Sequence, residues 1–107
     1  MKHTTSTEDL FESVRQWAED RKLITNGNPY MQMLKVLEEV GETAHALVRE
    51  KTAETEDGIG DSFVTLIILA HQLNLDPMQC LQKAYDEIKD RKGYLNEEGI
   101  FIKDEEQ

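Results

Sequence analysis

The chain has 107 residues, with 22 Asp and Glu against 12 Lys and Arg and a formal charge of −10. That length suits a single domain, residues 1–107, whose modest core an oligomer interface would help to complete. The acidity excludes a basic groove for nucleic-acid polymers and an anionic membrane surface, but admits a polyphosphate wherever bound metal ions reverse the local sign.

The opening stretch, MKHTTSTEDL, has no apolar core of the kind a signal peptide needs. Ser6 with Asp9 resembles a capping box, and Leu10, Phe11, Val14, Trp17 and Ala18 follow at helical spacing. This predicts a first helix over about 7–22, with Trp17 in its core stripe. Leu23 to Gly27 reads as a connector, and Asn28-Pro29 as an N-cap with proline at the first helical position. The second helix is predicted from Pro29 to about Lys51. Its core stripe is Met33, Leu34, Leu37, Val40, Gly41, Ala44, Leu47 and Val48, where the small Gly41 and Ala44 would let another backbone come close. Lys35, Glu38, Glu39, Glu42 and His45 flank that stripe. Residues 50–56, EKTAETE, read as a polar connector.

A third helix is predicted from near Asp57 to near Asn74. From Phe63 through Leu69 it is apolar nearly all round, as a central buried helix should be. The apolar run is too short to span a bilayer, and the expectation is a soluble cytoplasmic protein. Asp61 stands at the mouth of this segment, where a carboxylate needs a partner. Asp76, Pro77 and Gln79 start a fourth helix whose buried face is Met78, Leu81, Ala84, Tyr85 and Ile88, with Gly93 as its stop. Cys80, the only cysteine, permits no intrachain disulfide and reads as a small buried filler. Lys89, Arg91 and Lys92 close the helix. YLNEEGIFIK then reads as a small hairpin turning at Asn96 to Gly99, followed by a frayed acidic tail, DEEQ.

The acids on the second and third helices carry the chemistry. At 100° per residue, Glu38 and Glu42 lie about 40° apart and Glu39 and Glu42 about 60° apart, while Asp57 and Asp61 are one turn apart. If the two helices pack antiparallel, these acids converge on one small volume. Two carboxylates about 4 Å apart repel by about 4 kcal/mol at an effective dielectric of 20. A hard cation, Mg²⁺ or Mn²⁺, relieves that repulsion and suits oxygen-only ligands. Taken singly, E-E-x-x-E also suits a solvated face and Asp57 a positive helix end, an account that serves Asp61 poorly. Glu42 and His45 form E-x-x-H, but a di-iron bundle needs a second copy, and Ile68 stands where one built on His71 would need an acid.

The order E-E-x-x-E, a gap, then an acid-rich turn ending I-G-D before an apolar helix resembles the MazG-like all-α nucleotide pyrophosphohydrolases of the small single-domain type. The blocks RQWAEDR, QMLKVLEEVGE, IGDSFVTLIILAHQLNLD and AYDEIKDRKG carry the resemblance. It implies an all-α fold, a four-helix bundle with a short C-terminal β-hairpin, assembled as a homodimer or homotetramer. It implies Mg²⁺-dependent cleavage of a nucleoside triphosphate to the monophosphate and pyrophosphate, by attack of an activated water on the α-phosphorus. Glu39, Glu42 and Asp61 would bind metal, and Glu38 would be a further ligand or orient the water. The second motif of the family is E-x-x-D; Gly58 stands at its first position here, making Asp57 the substitute ligand. Lys35, Lys89, Arg91 and Lys92 would meet phosphates, and Asp86 and Trp17 would meet the base. The three C-terminal cations also suit the negative end of their helix, and Asp86 also suits an ion pair with a neighbouring Lys. Two other functions fit the same pattern: a non-catalytic nucleotide-binding or interaction bundle, and a phosphoribosyl-ATP pyrophosphohydrolase.

Overall fold

A computed structural model describes residues 6–105. The fold is mostly helical, with one small two-stranded antiparallel sheet. Contacts divide the chain into two compact units, one ending at Pro77 and the other beginning at Met78.

The first unit holds α1 (Thr7–Asp20), α2 (Leu23–Asn26), α3 (Pro29–Val48) and α4 (Thr52–Gln72). Ser6 Oγ accepts from the Asp9 N–H at 3.1 Å and starts α1. Residues 23–26, expected as a connector, instead form a one-turn helix, entered through Lys22 in the left-handed region at φ 60°. Asn28 Oδ1 accepts from the N–H groups of Tyr30 (2.9 Å) and Met31 (3.4 Å), with Pro29 at the first turn of α3.

α4 begins five residues before its expected start at Asp57. The link from α3 is only residues 49–51, reversed at Glu50 with φ 57°. The Lys51 carbonyl then accepts from the Thr55 N–H (2.9 Å) and the Thr55 hydroxyl (2.8 Å). The polar TAETE run is therefore the solvated first turn of a helix rather than a connector, in keeping with the high helix propensity of Ala and Glu.

α4 is central: α1, α2 and α3 all pack against it. Its pairing with α3 is antiparallel, because Gln32 Nε2 donates to the Thr65 carbonyl at 3.1 Å while Gly58 lies against Thr43. The close approach runs through Gly58 and not through Gly41. A Cβ on Gly58 would stand 3.1 Å from Thr43 Cα and nearer still to its side chain, whereas one on Gly41 would meet open space.

The core consists of Ala18, Val36, Ala46, Ile67 and Ile68 with Thr65. The stripe expected to be buried on α3 is instead exposed: Leu37 is 57%, Leu47 64% and Val48 82% accessible. Gln32, Val36, Thr43 and Ala46 take the side that meets α4, and the apolar row lies roughly 130° around the helix from them. Asp61, expected at the entrance to a buried stretch, is also exposed.

The second unit carries the remainder of α5 (Pro77–Ile88) and a hairpin of β1 (Gly93–Leu95) and β2 (Phe101–Lys103), with Tyr94 opposite Ile102. Asn96 Oδ1 accepts from the N–H groups of Glu98 and Ile100, both at 2.9 Å, and Gly99 supplies the left-handed residue at φ 79°. The predicted turn is the observed one. Two expectations fail here: Leu81, Tyr85 and Ile88 are exposed, and so is Cys80. The last two residues of the acidic tail lie outside the described residues. Among the described residues, no helix is long and apolar enough to cross a membrane.

Candidate functional site

The antiparallel register brings the acids of α3 and α4 to one cavity of about 590 Å³. Glu38, Glu39 and Glu42 enter from α3, and Glu54, Asp57 and Asp61 from α4, with His45, Gly41, Ala46 and Gly58 completing the lining. Every sequence-predicted acid ligand is therefore on this wall. Glu54 was missed, because the stretch that contains it read as a connector. Its signal was present: Glu54, Asp57 and Asp61 are spaced i, i+3, i+7, one face of a helix started at Thr52.

Gly58, the departure from E-x-x-D, has a physical reason. Thr43 fills the space a side chain would need, and Thr43 is itself held by its hydroxyl donating to the Glu39 carbonyl at 2.7 Å. An acid at position 58 would have to push α3 and α4 apart.

The carboxylates of this wall, with the His45 imidazole beside them, have the chemistry of a site for a hard divalent cation. Among the described residues, however, no three His, Cys, Asp or Glu side chains stand close enough to hold one ion as placed. They line a shared volume, and closing on one point requires new side-chain rotamers. Lys35 supplies the counter-charge: its Nζ lies 3.3 Å from Glu38 Oε1 and 3.4 Å from Glu39 Oε1. Hydrogen bonds to Glu38 and then Glu39 hold the Lys35 ammonium above the ordinary lysine range. Glu39 is the more enclosed of the pair, with a side chain 12% exposed against 54% for Glu38.

A second cavity, about 540 Å³, adjoins the first and shares Glu39 and Asp61 with it. Lys35 lies on the wall of this second cavity and reaches Glu38 and Glu39 of the first through its Nζ. The remaining lining is less polar: Trp17, Leu23, Met31, Val64 and Ile68 among others, with Asn28, Gln32 and Gln72 as its amides. Trp17 does not take the core place its spacing suggests. It is 47% exposed with the Arg21 guanidinium stacked 4.1 Å from its ring centroid, while Ala18 beside it is buried. Gly27 completes the wall; a Cβ there would collide with the Leu23 carbonyl and the Gln72 amide.

The remaining predicted substrate residues, Asp86, Lys89, Arg91 and Lys92, belong to the second unit. Asp86 accepts from Gln82 Nε2 at 3.1 Å and pairs with Lys89 at 3.4 Å, both within one helical turn. The Lys92 carbonyl, one residue before β1, accepts from the Asp104 N–H, one residue after β2, at 2.9 Å. Arg91 lies between Lys89 and Lys92 in sequence.

No family model matches the chain, and no solved structure matches it. It is similar to an uncharacterized 18.2 kDa protein in the rep-hol intergenic region of Haemophilus phage HP1 (strain HP1c1), with 39% identity over 69 residues. The match takes in 64% of this chain and 42% of that protein, so the chain spans less than half of its relative's length.

Proposed function

We propose that this chain is a Mg²⁺-dependent nucleoside triphosphate pyrophosphohydrolase, a cytoplasmic four-helix bundle of MazG-like type. The observation that carries the reading is the pair of adjoining cavities, one acidic and one largely apolar, that share Glu39 and Asp61. A molecule with a polyanionic end and a planar end fits that division.

A divalent ion bound by Glu39, Glu42, Asp57 and Asp61 would offset phosphate charge and lower the pKa of a water. Glu54, on the same wall, is available as a further oxygen donor. Glu38, whose side chain is exposed, would accept the proton of the attacking water. The water adds to the α-phosphorus, the α–β anhydride bond breaks, and pyrophosphate leaves with the bridging oxygen. Lys35 pairs with Glu38 and Glu39, and with a cation bound by the acids its ammonium would be available to phosphate oxygens.

The reading includes self-association into a homodimer or homotetramer. Leu34, Leu37, Leu47 and Val48 expose 56%, 57%, 64% and 82% of their surface along one row of α3. A soluble monomer rarely exposes a contiguous apolar patch of more than a few hundred Å².

Incubation with a panel of ribo- and deoxynucleoside triphosphates and phosphoribosyl-ATP, in the presence of Mg²⁺, tests the activity. The expected product is pyrophosphate with the monophosphate; orthophosphate release alone contradicts the bond position. The separation of the acids as placed favours a second reading, a nucleotide-binding bundle without catalysis. Binding of a nucleotide with no turnover by the folded protein would select it.

A further inference from the structure

Two cavities flank the place where Gly58 meets Thr43. The acidic one takes Glu54, Asp57 and Asp61 from α4. The other, about 340 Å³, is lined by Leu47, Glu50, Thr52, Thr55, Glu56 and Ile59. At about 100° per residue, Thr55 and Ile59 stand about 60° and 100° to one side of Gly58, and Asp61 and Asp57 about 60° and 100° to the other. The start of α4 therefore has open volume on both flanks, and between them it touches α3 through a residue with no side chain.

The two halves of α4 are held differently. Of the described residues 52–64, Gly58 alone is buried, whereas Thr65, Ile67 and Ile68 anchor the second half in the core. Hydrogen bonds tie that second half to other elements: Gln32 donates to the Thr65 carbonyl, and Gln72 donates to the Leu23 carbonyl. The helix is weakened between the halves. Gly60 is exposed and a Cβ on it would meet nothing within 4 Å, so packing does not account for this glycine. A glycine inside a helix gives up stability for conformational freedom. Ser62 Oγ donates to the Gly58 carbonyl at 2.8 Å, a bond of the kind that bends helices.

We propose that the first two turns of α4 form a rocker, which pivots on Thr43 through Gly58, bends at Gly60, and trades volume between the two cavities. Like charges on α3 and α4 push the walls of the acidic cavity apart. Neutralising them lets the start of α4 swing toward Glu38, Glu39 and Glu42 and widens the cavity beside Leu47 and Ile59. Bending of this kind needs only a few residues that absorb the change in backbone angle. The pivot stands on packing alone; only the neutralising partner, a divalent cation, rests on the function proposed above.

A cross-link across the second cavity tests the rocker. Leu47→Cys and Ile59→Cys are introduced together in the full chain with Cys80→Ser, at residues 64% and 51% exposed. The rate of intramolecular disulfide formation under a mild oxidant, read by peptide mass, reports how often that cavity narrows. Adding Glu54→Gln with Asp57→Asn is expected to slow the reaction by about 5-fold or more. With the acids intact, saturating Mg²⁺ should slow it likewise. Gly60→Ala, which stiffens the bend and changes no charge, should slow it too, and keeps the test decisive if the neutralised chain does not fold. A rate unchanged or raised by charge removal or by Gly60→Ala, or no cross-link at all, overturns the rocker. Slowing by both substitutions with no effect of Mg²⁺ sinks the cation reading alone.

Discussion

Gly58 on α4 lies so close to Thr43 on α3 that a Cβ at position 58 would sit 2.9 Å from Thr43 Cβ. The approach sets the spacing of the two helices at the level of the acidic cavity, whose wall includes Gly58 itself. Restoring the acid of the E-x-x-D pattern at this position should therefore harm the protein. Gly58→Ala and Gly58→Glu are both expected to lose stability by about 1–3 kcal/mol through overpacking, read from the urea midpoint. For an unhindered helical glycine, alanine would instead gain about 1 kcal/mol. A higher midpoint for Gly58→Ala would show that the contact yields easily.

The exposed row on α3 predicts self-association. Sedimentation of the wild type at micromolar concentration should give a dimer or tetramer, and Leu37→Asp should reduce its mass toward the monomer. Leu37 is 57% exposed within the chain, so the substitution leaves the fold of a protomer largely untouched. A wild type that sediments as a monomer contradicts the assembly, whatever the variant does.

Lys35 gives a prediction in pH. Its hydrogen bonds to Glu38 and Glu39 raise its pKa above the ordinary 10.5. A raised lysine pKa means the charged form is favoured by folding. Its contribution to stability is complete below 10.5 and disappears as pH rises through the raised value. In the double variant Glu38→Gln with Glu39→Gln, the Lys35 ammonium should titrate at lower pH than in the wild type, followed by heteronuclear NMR of the lysine side chain. An unchanged titration would mean the two acids exert no hold on it.

Helix existence was legible because it depends on local signals. The caps at Ser6 and Asn28 and the turn at Asn96–Gly99 are chemistry between near neighbours, and all three are formed. Orientation was less legible. The apolar row of α3 is a true row, but Val36, Ala46 and two polar residues face α4 in its place, and periodicity alone does not say which partner covers a stripe. The start of α4 was missed because the polarity of residues 52–56 was read as irregular backbone, although it is also what a solvated first turn requires. That single boundary hid Glu54. The grouping of Glu38, Glu39, Glu42, Asp57 and Asp61 on one wall was legible from helical spacing combined with antiparallel pairing. The role of Gly58 was not, since a gap in an acidic pattern reveals its packing reason only when Thr43 is seen against it.

The most direct measurement is Mn²⁺ binding followed by electron paramagnetic resonance, because the ion stands in for Mg²⁺ and needs no substrate. Wild-type protein should take up Mn²⁺ at a saturable site that excess Mg²⁺ empties, and the double variant Glu39→Gln with Asp61→Asn should lose it while keeping its helical circular dichroism. Equal Mn²⁺ uptake by the two proteins, or none by the wild type, would contradict a cation site made by the acids of α3 and α4.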